Sequence, residues 1–155
     1  MKFTQKITPF LSFRDQAEEA AKHYVSILPD SELGPIAKDP RTGKVLTVEF
    51  TLAGTNFVAL NVGEDWPFTD AISFSIGCDT QEEIDTYWEK LTEGGKEVQC
   101  GWLKDKFGVS WQVVPNMMAK ILATADADTV GRVMGVMMTM VKLEIEPLQR
   151  AYENA

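Results

Sequence analysis

Residues 10–30 read FLSFRDQAEEAAKHYVSILPD, and residues 73–95 read SFSIGCDTQEEIDTYWEKLTEGG. Asp15 and Asp79, Glu18-Glu19 and Glu82-Glu83, and Tyr24 and Trp88 each stand 64 residues apart. Self-similarity at a fixed offset marks a duplicated structural unit. Ile84, Tyr87, Trp88 and Leu91 fall at i, i+3, i+4 and i+7, an apolar helical stripe, and their counterparts are Ala20, His23, Tyr24 and Ile27. The two aspartates are N-caps or pre-cap residues, with acidic pairs in the first turn, where the helix dipole favours negative charge. Pro29 and Gly94-Gly95 end the helices.

Strands follow each helix. Leu46, Val48, Phe50 and Leu52 alternate with Val45, Thr47, Glu49 and Thr51, giving one strongly apolar face. Ala53-Gly54-Thr55-Asn56 turns the chain, and Phe57–Val62 returns as a hairpin partner. In the second half, Glu97–Leu103 and Val109–Val114 are strands separated by Lys104–Gly108. Residues 31–40, with Gly34, Pro35 and Pro40, form a short irregular edge strand. The expected class is α+β: one domain over residues 1–155, holding two βαβββ modules at about 5–65 and 70–116 and a helical extension over 117–155. In that extension, Asp126-Ala127-Asp128 caps a helix running through Val130, Val133, Met134, Met137, Met138 and Val141. Pro147 marks a break before a short helix at Leu148–Tyr152.

The balance of 15 basic against 23 acidic residues gives a formal charge of −8. Such a surface repels phosphate backbones and anionic lipid, so neither nucleic acid nor membrane is an expected partner. The first residues, MKFTQKITPFLSF, lack the apolar run of a signal peptide, and no stretch approaches a membrane span of about 18 apolar residues. Cys78 and Cys100 make no disulfide framework and read as reduced thiols, so a cytoplasmic location is expected.

Several blocks together resemble the PhnB-like family of the vicinal-oxygen-chelate superfamily, the glyoxalase/bleomycin-resistance/dioxygenase group. They are Ile7–Phe13, Ile27–Asp30, Ile72–Ser75, Gln81–Asp85 with Tyr87-Trp88, Cys100–Asp105 and Gly108–Pro115. The Cys-Gly-Trp and Ser-Trp-Gln blocks are the most specific, and the resemblance runs over nearly the whole chain. It implies paired βαβββ modules forming a curved mixed sheet around a concave ligand cleft, usually in a homodimer. Members often carry the label 3-demethylubiquinone-9 3-methyltransferase.

Period-two alternation assigns strand faces. The bulkier apolar parity, which includes Leu11, Phe50, Leu60, Phe74 and Trp111, is expected under the helices. The opposite parity then faces the cleft: Thr8, Phe10 and Ser12; Thr47, Glu49 and Thr51; Phe57, Ala59 and Asn61; Ala71, Ser73 and Ser75; Ser110, Gln112 and Val114. Relatives with a metal carry His, Glu or Gln on that face. Here the corresponding positions are Thr8, Asn61 or Ala59, Ala71 and Gln112, and one neutral amide oxygen cannot hold a transition metal against water. His23, the one histidine, reads as a helix-surface residue. No metal and no other cofactor is expected; no Gly-x-Gly-x-x-Gly turn supports adenosylmethionine.

The expected function is metal-independent binding of a small molecule, an aromatic one among the candidates. Phe10, Phe57 and Trp102 would stack on the ligand, and Asn61, Ser73, Ser75 and Gln112 would orient it. The alternative is an enzyme, either the group-transfer enzyme of the family label or a glyoxalase-like lyase, with Glu49 or Cys100 as the reactive residue. A nucleophilic Cys100 would need a neighbouring base, and the sequence offers no histidine there.

Overall fold

The structure, a computed structural model, describes residues 5–154. It divides into two compact units after Pro67. In the first, β1 (Phe10–Phe13) leads into α1 (Ala17–Ile27), followed by β2 (Glu32–Lys38), β3 (Val45–Leu52) and β4 (Thr55–Asn61). The sheet order is β1-β4-β3-β2, with β1 parallel to β4 and the remaining pairs antiparallel. Tyr24 of α1 stacks on Phe50 at 6.2 Å, and Phe50 on Phe57 at 5.4 Å, so one sheet face is sealed by the helix. Ala53 and Gly54 both have positive φ, which makes the β3–β4 connection a tight two-residue turn.

The second unit repeats this plan. β5 (Phe74–Cys78) and α2 (Gln81–Thr92) precede β6 (Lys96–Glu97), β7 (Trp102–Lys104) and β8 (Ser110–Pro115), in the order β5-β8-β7-β6. β5 runs parallel to β8, and Phe74 lies against Trp111 with ring centroids 5.5 Å apart. Three helices follow: α3 (Asn116–Thr124), α4 (Ala127–Met137) and α5 (Ile145–Glu153). They share a core of Met118, Ile121, Val133, Leu143 and Leu148, with Met134 and Met137 packed against it. The methionine stripe is thus largely packing, as flexible thioethers suit; Met138 stays 65% exposed.

The two-module α+β architecture is as the repeat implied, with two mixed four-stranded sheets among the described residues. Asp15 and Asp79 are pre-cap residues: the N-caps are Gln16 and Thr80. The edge strand β2 is irregular, its register shifting between Leu33 and Ile36. Three expectations need correction. The helix expected to run through Val141 ends at Met137, with Met138 as its C-cap. Glu97–Leu103 is not one strand, because Cys100 and Gly101 both take positive φ (61° and 82°) and turn the backbone out of the ladder. Pro147 does not break the last helix; it sits in the first turn of α5, where its missing N–H would have no helical partner.

Candidate functional site

Strand pairing decides which side chains share a face, since residues directly opposite in a ladder point the same way. In the first unit β3 and β4 pair Phe50 with Phe57 and Val48 with Ala59, and these four are buried. Glu49 pairs with Val58, Thr47 with Leu60 and Thr51 with Asn56, so these occupy the face turned away from α1. The expected parity of β4 is therefore inverted. Phe57 and Ala59 belong under the helix, and Val58 and Leu60 share the face of Glu49. The two-residue turn sets this register: it pairs Leu52 with Thr55, which places Phe57 opposite the buried Phe50.

Asn61 moves with that correction. Its Oδ1 accepts a hydrogen bond from the Ala17 N–H at 2.9 Å, and its Nδ2 donates to the Val45 carbonyl at 3.1 Å. Gln16 supplies no side-chain cap to α1, so Asn61 closes the helix start from across the unit. Asn61 and Glu49 cannot face one cavity.

The face carrying Glu49 is open. A groove of about 830 Å³ runs over it, lined by Phe10, Glu32, Gly34, Glu49, Thr51 and Val58 among others, with Lys6 and Thr8 on the segment before β1. Gln5 anchors that segment: its amide donates to the carbonyls of Ile7 and Asn56 and accepts from the Asn56 N–H at 2.9 Å. Thr51 Oγ1 donates to Asn56 Oδ1 at 2.9 Å, which leaves the floor hydrogen-bonded. The half-buried Glu49 carboxylate makes no hydrogen bond or ion pair among the described residues, and Phe10 is 57% exposed. Sequence reading found Phe10 and Glu49 but missed Gln5, Lys6, Glu32 and Gly34. The available signal was Gly34-Pro35, an unusual pair inside a strand.

In the second unit the remaining predicted residues lie together. Ser75 pairs with Gln112, and Gln112 with Trp102, so the three form a lateral row on one face. Gln112 Nε2 donates to Ser73 Oγ at 2.9 Å. Trp111 and Val113 occupy the buried parity, as expected.

Cys100 sits in the turn before β7. Its N–H donates to the Met140 carbonyl and that of Gly101 to the Val141 carbonyl, which ties the turn to the segment after α4. A side chain at position 101 would meet Leu143 and the Val113 carbonyl within 2.9 Å, so this close approach requires glycine. The arrangement accounts for the Cys-Gly pair structurally. Cys78 is buried; burial, then the charges of Glu83 and Asp79, push its thiol up to about 12, which keeps it protonated and unreactive. His23 is half-buried on α1, its ring tilted beside Tyr24.

Among the described residues, no three His, Cys, Asp or Glu side chains stand close enough to hold a metal ion. The first turns of both module helices are capped: Asn61 closes α1, while Thr80 Oγ1 accepts from the Glu83 N–H of α2 at 3.1 Å. No helix is long and apolar enough to cross a membrane among the described residues.

Residues 5–114 match the sequence pattern of a family described as 3-demethylubiquinone-9 3-methyltransferase. A Bacillus cereus structure described as a putative 3-demethylubiquinone-9 3-methyltransferase, PhnB protein, is 38% identical. The match covers 72% of this chain and 99% of that one, with a TM-score of 0.67. A protein from Pseudomonas aeruginosa is 20% identical over 72% of this chain and 98% of its own, with a TM-score of 0.61. A fosfomycin resistance protein, FosX, from Listeria monocytogenes, complexed with Mn(II) and sulfate, is 15% identical (72% and 92% covered, TM-score 0.54), a likeness of fold. No curated protein matches the chain.

Proposed function

The chain belongs to the family described as 3-demethylubiquinone-9 3-methyltransferase, the PhnB-like part of the glyoxalase/bleomycin-resistance/fosfomycin-resistance superfamily, and from that premise we propose that it binds a small organic molecule, without a metal, in the groove over its first sheet. One observation carries the reading: a half-buried carboxylate, Glu49, with no hydrogen bond or ion pair among the described residues, lines one groove with the exposed Phe10, on the face turned away from α1. Small-molecule sites are concave and mostly apolar, with a few fixed polar groups. Ligand binding would compensate both the exposed ring and the partly desolvated carboxylate.

The metal-free part of the proposal rests on donor chemistry. A transition metal is held by several His, Cys or carboxylate ligands whose outer atoms are themselves hydrogen-bonded, and the groove offers two carboxylates and no His or Cys. The free thiols Cys78 and Cys100 suit a reducing compartment, so the proposed location is the cytoplasm. A homodimer is proposed with it, since Leu122, Met138 and Val141 leave apolar surface exposed in the helical tail.

Native mass spectrometry of freshly purified protein, with elemental analysis, tests these points together. The expected result is a dimer that retains or takes up an organic ligand and carries no stoichiometric metal. About one Zn, Ni, Mn or Fe per chain would overturn the metal-free reading, and a monomer at micromolar concentration the dimer. Backbone amide shifts confined to the groove's lining, in β1 and the segment before it, β2, β3 and β4, on titrating naphthalene-sized aromatics would locate the ligand; shifts elsewhere would overturn the groove.

A further inference from the structure

We propose that the ligand of this groove is an organic cation with a flat apolar body, its charge held by Glu49; this rests on the groove being a small-molecule site and adds the chemical class. The groove brings together two carboxylates, Glu32 and Glu49, and one ammonium, Lys6. None of the three is in an ion pair among the described residues. Toward β4 and β1 the surface beside Glu49 is apolar: Val58 is its cross-strand neighbour, and Phe10 is paired in turn with Val58. A carboxylate half-withdrawn from water beside an aromatic face is complementary to a ligand that is cationic at one end and apolar at the other. Charge-assisted hydrogen bonding satisfies the carboxylate, and the ring, across Val58 on the same face, receives the apolar body. The field of a chain with formal charge −8 favours the same sign of ligand.

The backbone beside Glu49 is shaped for this purpose. The β2–β3 register passes from Leu33↔Phe50 to Ile36↔Val48, so Gly34 and Pro35 together face the single residue Glu49. Two residues opposite one is a β-bulge, a feature enriched beside binding sites because it re-aims a side chain. A Cβ at position 34 would lie 3.1 Å from the Glu49 carbonyl oxygen and 3.2 Å from its Cβ. Glycine therefore lets β2 close on Glu49 without displacing it, and Gly34 is a positioning residue for that carboxylate.

The test uses the full chain and three soluble naphthalene probes of one shape: naphthalen-1-ylmethylammonium, neutral naphthalen-1-ylmethanol and naphthalene-1-carboxylate. Each is titrated at low salt by calorimetry and amide-shift mapping. The expected result is a preference for the cation over the neutral alcohol of about tenfold, the size of a charge-assisted contact in a half-exposed site, with shifts at Phe10, Glu49 and Val58. Glu49→Gln should abolish that preference while leaving the circular dichroism spectrum unchanged. Gly34→Ala should weaken the cation alone, by a few-fold. If the alcohol or the carboxylate binds in the groove as tightly as the cation, or if Glu49→Gln keeps the preference, the cation class is overturned and the small-molecule site stands. If none of the three shifts the groove residues, the site itself falls, and the inference with it.

Discussion

The two sheets share one strand order, yet they hold their last two strands together by different means. In the first, β3 and β4 are long and meet through the Ala53-Gly54 turn, so the ladder and an aromatic stack of Tyr24, Phe50 and Phe57 suffice. In the second, β7 has three residues and β6 two. A buried carboxylate takes over there. Asp105 Oδ1 accepts from the N–H groups of Phe107 and Val109, and its Oδ2 accepts from Trp111 Nε1 at 2.9 Å. A short ladder has few backbone bonds to fix its register, and a hydrogen-bonded charge at the turn fixes it instead. The freedom this gives differs as well. The first sheet carries a groove over the face of Glu49, while the second uses its turn, Cys100 and Gly101, for contacts with the helical tail.

That contrast predicts the largest effects in the second unit. Trp111→Ala should cost about 3–5 kcal/mol in urea unfolding, a core deletion that also strips Asp105 of a donor. Trp111→Phe isolates the donor and should still cost about 1.5–3 kcal/mol, the range for hydrogen bonds to charged groups. A cost near zero would mean that Asp105 does not hold the turn. Next come the helix starts, where the units do one job differently. Asn61→Ala and Thr80→Ala should each cost about 1 kcal/mol, with Asn61→Ala the larger because its Val45 bond is lost too. Equal costs would show that the remote cap behaves as a local one.

Ser73→Ala removes one half-buried acceptor from Gln112, and should cost less than about 1 kcal/mol. The smallest effect at neutral pH concerns Cys78. Its thiol ionises from 9.0 when unfolded but near 12 when folded, so the stability it contributes is present at neutral pH. That contribution should fall as pH rises from 9 toward 12. Cys78→Ala should flatten the decline in alkaline unfolding curves, and an unchanged slope would count against the burial argument.

Much of this was legible in the chain. The 64-residue offset, the acidic pairs and the i, i+3, i+4, i+7 stripes placed both α1 and α2, because helix signals are local. The alternation of β3 and β8 was legible for the same reason, and it put Glu49 and Gln112 opposite the buried parity. β4 was not. Phe57, Val58, Ala59 and Leu60 are all apolar, so alternation gave no contrast, and only pairing with β3 chose the face. The break in 97–103 was equally hidden, since the positive φ of Cys100 is sustained by bonds to Met140 and Val141, some forty residues away.

The sequence by itself determined the duplicated plan, the two module helices, the acidic balance and the family, because each rests on residues near one another in the chain or on composition. The tertiary structure decided which face of β4 is buried, that Asn61 is a cap, that Asp105 is the anchor of its turn and that Glu49 and Phe10 line one groove. Each of those depends on which partner a polar group finds across the fold. That choice is set by strand register and by the requirement that buried polar groups be satisfied, and residue order does not record it.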